Sequence, residues 1–417
     1  MLRFNVLAFA AITSASIVWA APAFAATTWY VNGVKGNDNN NCMTPQTACK
    51  TITHAISLAS PGDSIRVAAA HYKEAIGIDF SLKIIGAGAK STVIVGGGVG
   101  SGDVVDVSGS TSHVVLSKLT ILKGDCVVEN SGILTVNDSV ISEGADYGGI
   151  ENFGTLMLNR SNISYNNTEG FDGYDGYGAG ILNYGIAVIN NSTITGNTAT
   201  AQYSYGGGIS TMGGTLTINN STISANVASG LASASGGGID IGGATVVNNS
   251  TISGNNASAP GGETYGGGIA LAGSGPLTIS SSTLVGNYVD NGGQGGGIAG
   301  PATLQNTIVA QSHHGGNCYG AMTSNGYNLS SDKTCNFNGP GDLNDTKPKL
   351  GTLGNHGGPT QTIPERLDSP TVDAGNPNGC TDGNGKLLTT DQRGYPRPGK
   401  DKHDKRCDMG AYERQTD

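Results

Sequence analysis

The chain has 417 residues, 68 of them glycine, with only 13% charged and 6% aromatic side chains. That much glycine beside so few aromatics argues against one large globular core and for thin stacked turns. Its 22 Lys and Arg stand against 31 Asp and Glu, a formal net charge of −9, which excludes a nucleic-acid partner because such binding draws on many phosphate-neutralising cations.

Residues 1–25 carry Arg3, an apolar run from Val6 to Ala11 continued by Ile17, Val18 and Trp19, and Ala23-Phe24-Ala25 before Ala26. This is the pattern of a secretory signal with an Ala-x-Ala cleavage site. The mature chain is expected to begin at Ala26 and to be secreted, extracellular or periplasmic. No later run approaches the roughly 18 apolar residues of a membrane span. In an exported chain the seven cysteines read as a bridge framework. Nearest-neighbour pairing gives Cys42 with Cys49, Cys318 with Cys335 and Cys380 with Cys407, and leaves Cys126 as a small buried hydrophobe in the apolar run Cys126-Val127-Val128. A catalytic thiol there would need a histidine, and His113 is the one in range.

Trp29 to Asn32 reads as a short strand, and residues 33–49 as a polar loop. Residues 51–59 read as an amphipathic helix whose Ile52, Ala55, Ile56 and Ala59 share a face, stopped by Pro61-Gly62-Asp63. Laid over the first coil, such a helix would hide an exposed sheet edge.

From Gly178 to Asn306 one phrase recurs: a glycine step and an isoleucine, a short apolar run, a polar pair, then Ser-Thr-Ile or a relative of it. Ser192, Ser221, Ser250 and Ser282 mark it, and Ser139 and Ser161 mark earlier forms. A recurrence of 20 to 50 residues signals a repeat architecture. Its short β-branched runs without helical periodicity point to a parallel β-helix over residues 26–310. The extra residues of the longer units are expected to bulge at one turn. Stacking in register puts Ile194, Ile223 and Ile252 in one interior file, and Asn191, Asn220 and Asn249 at left-handed turns with their amides stacked.

A resemblance supports this. Tyr30-Val31, Gly36-Asn37-Asp38, Cys49-Lys50-Thr51-Ile52, Gly62-Asp63-Ser64-Ile65 and Tyr72-Lys73-Glu74 resemble the start of secreted bacterial right-handed parallel β-helix proteins of the pectate-lyase-like superfamily. The central Gly-Gly-Ile repeats are similar to those of polymorphic outer-membrane proteins. Gly357-Gly358-Pro359-Thr360-Gln361-Thr362, Ser369 to Gly375, Asp391-Gln392-Arg393-Gly394 and Cys407 to Glu413 resemble the choice-of-anchor Q domain, here residues 311–417. The resemblance implies an all-β, right-handed parallel β-helix with a short N-terminal capping helix and a disulfide-bonded C-terminal cap. Relatives of this fold include polyuronate lyases and polygalacturonases, but neither family's catalytic motif stands in this sequence.

Between Lys123 and Lys333 the only Lys or Arg is Arg160, against twelve acids from Asp125 to Asp290. The basic group near the end (Arg393, Arg397, Lys400, Lys402, Lys405, Arg406) reads as a solvated face. Candidate ligand contacts gather in one region: Glu143, Asp146, Tyr147, Glu151, Tyr165, Glu169, Phe171, Asp172, Tyr174, Asp175, Tyr177, Tyr203 and Tyr205. Tyrosine faces beside carboxylates suit a sugar groove or a Ca²⁺ site; a merely decorative surface insertion is the plainer alternative. No other cofactor is expected, and His313-His314 lacks the companions a metal site needs. The expected function is a monomeric secreted or cell-envelope protein, non-catalytic, whose repetitive surface meets an extracellular polysaccharide or cell-surface component. The alternative is a polysaccharide lyase or glycoside hydrolase; a component with a purely structural role is a third reading.

Overall fold

A computed structural model describes residues 26–169, 173–290, 292–399 and 406–415; residues 1–25, expected from sequence to be a secretory signal, lie outside them. The chain winds as a right-handed parallel β-helix. Each coil adds one strand to each of three sheets, met in the order sheet 1, sheet 2, sheet 3. Sheet 1 has twelve strands from Thr28–Val31 to Met322–Ser324. Sheet 2 has eleven, from Ala70–Lys73 to Leu329–Ser330, and sheet 3 has ten, from Ile76–Ile78 to Cys318–Tyr319.

Alternation within each strand sends every second side chain inward. In sheet 2 this produces a continuous file of Ile94, Ile121, Ile141, Ile163, Ile194, Ile223, Ile252, Leu284 and Val309, each directly beside the next and fully buried. Sheet 3 contributes a second file through Ile150, Ile181, Ile209, Ile239, Ile269 and Ile298. The expected interior stack of Ile194, Ile223 and Ile252 is therefore present.

Polar ladders run beside these files. Asn191, Asn220 and Asn249 take the left-handed conformation at the turn between sheets 1 and 2 (φ 50°, 51° and 50°), but of their amides only Asn249 donates to Asn220, at 2.6 Å. The long amide ladder lies at the turn after sheet 2. There Asn166, Asn197, Asn226, Asn255 and Asn287 are buried, and each of the first four donates its amide to the next at 2.9–3.0 Å. The repeated serines form another ladder: the backbone N–H of Ser192 donates to Ser221 Oγ, and that of Ser221 to Ser250 Oγ. The glycine steps exist because of this packing. A Cβ on Gly207 would lie 2.3 Å from the Val227 backbone, and one on Gly208 3.0 Å from the Asn226 amide.

The extra residues of the longer units do more than bulge. They build a fourth parallel sheet between sheets 2 and 3, following the path Asn167–Thr168, Thr198–Tyr205, Val227–Ser235, Asn256–Ser258 and Tyr288–Val289. Each loop runs outward on one leg and returns on another. The strands Asp175–Tyr177 and Glu263–Tyr265 belong to the returning legs. Ala228, Ala234, Ala257, Ala259 and Val289 fill the space between legs, a core of small side chains that lets the legs approach closely.

The helix Ile52–Leu58 covers the first coil. Thr51 Oγ1 caps it by accepting from His54 N–H, and the Glu74 carboxylate takes the N–H groups of Ile52 and Thr53. The disulfide-bonded loop Cys42–Cys49 covers the first strand, whose Tyr30 N–H donates to the Cys42 carbonyl. This protects the edge as expected.

At the other end the three sheets continue beyond residue 310 for one more coil, through Cys318–Tyr319, Met322–Ser324 and Leu329–Ser330. Phe337, beside the Cys318–Cys335 disulfide, joins the main core there. The chain then doubles back as a strap along the outside of sheet 2. Gln392 Nε2 lies within hydrogen-bond reach of the Ser221 carbonyl and Thr222 Oγ1, while its Oε1 accepts from Thr251 Oγ1 at 2.6 Å. Asn306 Nδ2 donates to the Asp408 carbonyl, and Ala411 N–H to Thr283 Oγ1. The Cys380–Cys407 disulfide ties the strap to itself. Arg393 and Arg397 are not a solvated face. Arg393 is buried on Asp391 with Tyr412 over its guanidinium, and Arg397 is buried on Glu413 at 3.0 Å. Lys400, Lys402 and Lys405 lie outside the described residues.

Candidate functional site

Outward-facing positions of sheet 3 form one line along the molecule. Asp106, Glu129, Glu151, Leu182, Ser210 and Asp240 are register partners on successive strands. Over the later part of this line, at Leu182, Ser210 and Asp240, stand the returning legs of the fourth sheet, where Tyr177, Tyr205, Ser235 and Tyr265 are likewise in register; Asp106, Glu129 and Glu151 lie on coils before the first returning strand, Asp175–Tyr177. Tyr177 and Tyr205 stack at 5.0 Å with 14° between ring planes. Alternation explains why they face sheet 3: the intervening Ser204 and Ala234 are buried within the fourth sheet. Ser235 Oγ donates to Asp240 Oδ1 at 2.7 Å and ties the two walls together. The result is a channel whose acids (Asp106, Glu129 and Glu151) and phenol rings (Tyr177 and Tyr205) follow one another on successive coils, Asp240 being the one carboxylate of the line that lies opposite the legs.

Burial decides the ionisation here, and like charges reinforce it. Asp240 is pushed up to about 7 by burial, against the lowering effect of Ser235. Tyr177 is pushed up to about 12 by burial, then by Asp175, Tyr205 and Asp240. At the other end of the line the Asp103 and Glu129 carboxyls hydrogen-bond each other, and Glu129 rises to about 7 through burial and then Asp103. Glu151 is raised by burial and Asp103. Cys126 lies behind this end with its Sγ donating to the Val128 carbonyl at 3.2 Å, and burial pushes its thiol well up, the opposite of what a nucleophile needs.

The candidate residues named from sequence divide into groups. Glu151, Asp175, Tyr177, Tyr203 and Tyr205 lie on the facing strands, with Tyr174 against Tyr203 at 5.3 Å. Glu143 and Tyr165 occupy left-handed positions at the turn that leaves sheet 2, away from the channel, and Glu143 pairs with Lys123 at 3.6 Å. Tyr147 bridges to Thr168, whose hydroxyl donates to the Asp146 carbonyl, and Glu169 is exposed beside them. Phe171 and Asp172 lie outside the described residues. Sequence reading passed over Asp103, Asp106, Glu129, Ser210, Asp240 and Tyr265, together with Tyr184, which stacks on Phe153 at 5.0 Å. Asp106, Glu129 and Glu151 stand one coil apart, so the repeat spacing could have found them.

Residues 34–259, more than half of the chain, match the family model described as "Protein of unknown function (DUF1565)". The chain belongs to the DUF1565 family. The DUF1565 segment contains the whole acidic line from Asp103 to Asp240 and ends just before Tyr265. Across nearly all its length this DUF1565 chain is similar in fold to a solved structure titled "Crystal structure of pectate lyase Pel9A". The TM-score is 0.52 at 12% identity, over 94% of this chain and 98% of that one, a likeness of fold alone. No curated protein matches the sequence.

Metal ligation has little purchase among the described residues. Three potential ligands come together at Cys42, Cys49 and His54, but both cysteines are spent in the disulfide. His313 and His314 pack around the Tyr288 ring. No helix of the described residues is long and apolar enough to cross a membrane.

Proposed function

We propose that the protein is a secreted or cell-envelope β-helix that holds an extracellular polysaccharide along the channel between sheet 3 and the fourth sheet, without cutting it. The observation that carries this reading is the stacked pair Tyr177 and Tyr205, beside Asp175 and next along the coil axis after the acids Asp106, Glu129 and Glu151. Aromatic rings meet the C–H faces of sugar rings while carboxylates and hydroxyls meet their edges. The signal-like segment at 1–25 and the three disulfides fit an oxidising compartment outside the cytoplasm. The choice-of-anchor Q-like region would serve as the fastening strap, with the chain acting as a monomer and the channel acids able to engage Ca²⁺. A glycan array, with and without Ca²⁺, tests the reading. Binding that drops at least about tenfold in Tyr205→Ala supports it, whereas silence across plant and bacterial polysaccharides counts against it.

One observation favours a second reading, a polysaccharide lyase or glycoside hydrolase. Asp103 and Glu129 share a hydrogen bond, and Glu129 is raised to about 7, the state a general acid requires. Incubation with pectate, alginate and other polysaccharides separates the two. Unsaturated or reducing ends that vanish in Glu129→Gln mark an enzyme; intact polymer marks a binder.

A further inference from the structure

Where sheet 3 passes into sheet 1, two aromatic rings stand outside the core on a firmly held backbone. Asn130, Asn152 and Asn183 are register partners and wholly buried, and each of the first two donates its amide to the next at 2.6 Å. Phe153 and Tyr184 follow the last two, and their N–H groups donate to the Asn130 and Asn152 carbonyls at 2.8 Å. A Cβ on Gly185 would lie 2.0 Å from the Gly154 carbonyl oxygen, so the coils are pressed together just behind the rings. Phe153 is nevertheless 47% exposed and Tyr184 39%, in a chain where only 6% of residues are aromatic.

The geometry of the pair leaves one face open. The ring centroids are 5.0 Å apart with 6° between planes, close to the roughly 4.8 Å between coils. Parallel rings centred that near each other must overlap, so their faces look along the coil axis. Beyond Tyr184 the next coil places Met212 at the same corner. On the side of Phe153 the corner falls away: the equivalent positions on the two preceding coils are Ser131 and Ser108, side chains too short to cover a ring. The Phe153 face therefore closes off a ledge two coils long. Glu129 and Glu151 line this ledge from sheet 3, two residues ahead of Ser131 and Phe153. Burial and then Glu151 push the Tyr184 phenol up, which sets that carboxylate within electrostatic reach of the stack.

We propose that this ledge is a subsite for one neutral pyranose unit, stacked on the open face of Phe153 with its hydroxyls directed to Glu129 and Glu151. The inference rests on the polysaccharide reading above and gives it a second point of contact, at the other end of the sheet 3 strands from Tyr177 and Tyr205. A pyranose with equatorial hydroxyls presents a C–H face to the ring and polar edges to the carboxylates. A protein partner fits the ledge poorly, because the ground in front of the ring is serine and glutamate and the centre of protein interfaces is depleted of charged side chains. Tyr184 is the positioning residue, holding the Phe153 ring from behind.

The test is calorimetric titration of the full chain with β-1,4-linked hexamers of glucose, mannose and xylose. At least one should bind, with an affinity that stays within about twofold when salt is raised to about 1 M, since no ion pair is involved. Phe153→Ala should weaken that binding roughly tenfold or more, and Tyr184→Ala roughly threefold. Ser131→Tyr removes no group but puts a ring where the sugar would lie, so it should abolish the Phe153-dependent share of binding at an unchanged or higher thermal midpoint. Phe153→Trp should retain binding and report it as a change in indole emission, whereas Trp29 on the first coil should leave the unaltered chain silent. Wild-type affinity in both Phe153→Ala and Ser131→Tyr, with binding still lost in Tyr205→Ala, overturns the subsite while the polysaccharide reading stands. A change of oligomeric state in Phe153→Ala without a change of glycan affinity also overturns it, by making the rings a contact between copies. Binding of none of the three hexamers by the folded chain overturns the inference, and silence on the wider array would then remove the polysaccharide reading too.

Discussion

Asn226 shows how much a single side chain does in a stack of this kind. Its Oδ1 accepts from both the backbone N–H and the amide of Asn197, while its Nδ2 donates to the Ile194 carbonyl and to Asn255. All of this happens out of contact with water, so Asn226→Ala strands donors and acceptors on both neighbouring coils. A loss of about 2–4 kcal/mol is expected from the unsatisfied groups, read as a lower urea midpoint. Asn219→Ala, in the partly exposed ladder that links Asn190 and Asn248, should cost less than about 1 kcal/mol. Asp240 gives the residue-scale prediction for pH. Its folded-state value of about 7 lies above the ordinary aspartate value of 3.8, so the folded chain keeps a proton that the unfolded chain releases. That contribution is complete below about pH 4 and is lost as pH rises to about 7. At about 1.4 kcal/mol per unit, the swing is on the order of 4 kcal/mol. Asp240→Asn should flatten this part of the curve of thermal midpoint against pH; an unchanged slope would show that Asp240 ionises as readily folded as unfolded.

Among the elements, the three main sheets were legible because their inward residues are large and β-branched: Ile194, Ile223 and Ile252 advertise both strand and stacking. The fourth sheet was hidden for the opposite reason. Thr198–Tyr205 reads Thr-Ala-Thr-Ala-Gln-Tyr-Ser-Tyr, and its buried side chains are alanine and serine, which carry almost no hydrophobic signal. The site suffered accordingly. Tyr177 and Tyr205 stood out as aromatic residues, but the wall they face did not, because Asp240 sits unremarked in Ile239-Asp240-Ile241 and its burial depends on a sheet that sequence did not disclose. The strap was missed as a lateral element because its contacts join positions such as Gln392 and Ser221 across most of the repeat region. Arg393 and Arg397 looked solvated for the same reason. At this scale Gln392→Ala should lose the hydrogen bonds to sheet 2 and cost about 2–3 kcal/mol of strap docking. The measurement is faster amide exchange and proteolysis within 356–415, with far-UV circular dichroism of the coils preserved; equal exchange in both proteins would mean that apolar packing of Ile363 and Met409 holds the strap unaided.

For the whole molecule, the decisive fact is that coils touch mainly their immediate neighbours. Stability in such a stack is close to a sum of local terms, and unfolding can proceed from an end. The strap breaks that rule over part of the length, because it binds coils from Asn220 to Asn306 at once through Thr360, Gln392, Asp408 and Ala411. Coils nearer the start have the helix Ile52–Leu58 and the Cys42–Cys49 loop, which tie only the first turns together. The two halves should therefore separate under denaturant. Trp29, whose indole donates to Asp63 at 2.9 Å, reports on the first coil. Its fluorescence should change at lower urea than the bulk of the far-UV signal. Gln392→Ala should draw the two midpoints together by lowering the later one. Coincident transitions in the unaltered chain would mean that the isoleucine files alone couple the coils from end to end. The strap would then contribute to surface coverage and not to the cooperativity of the stack.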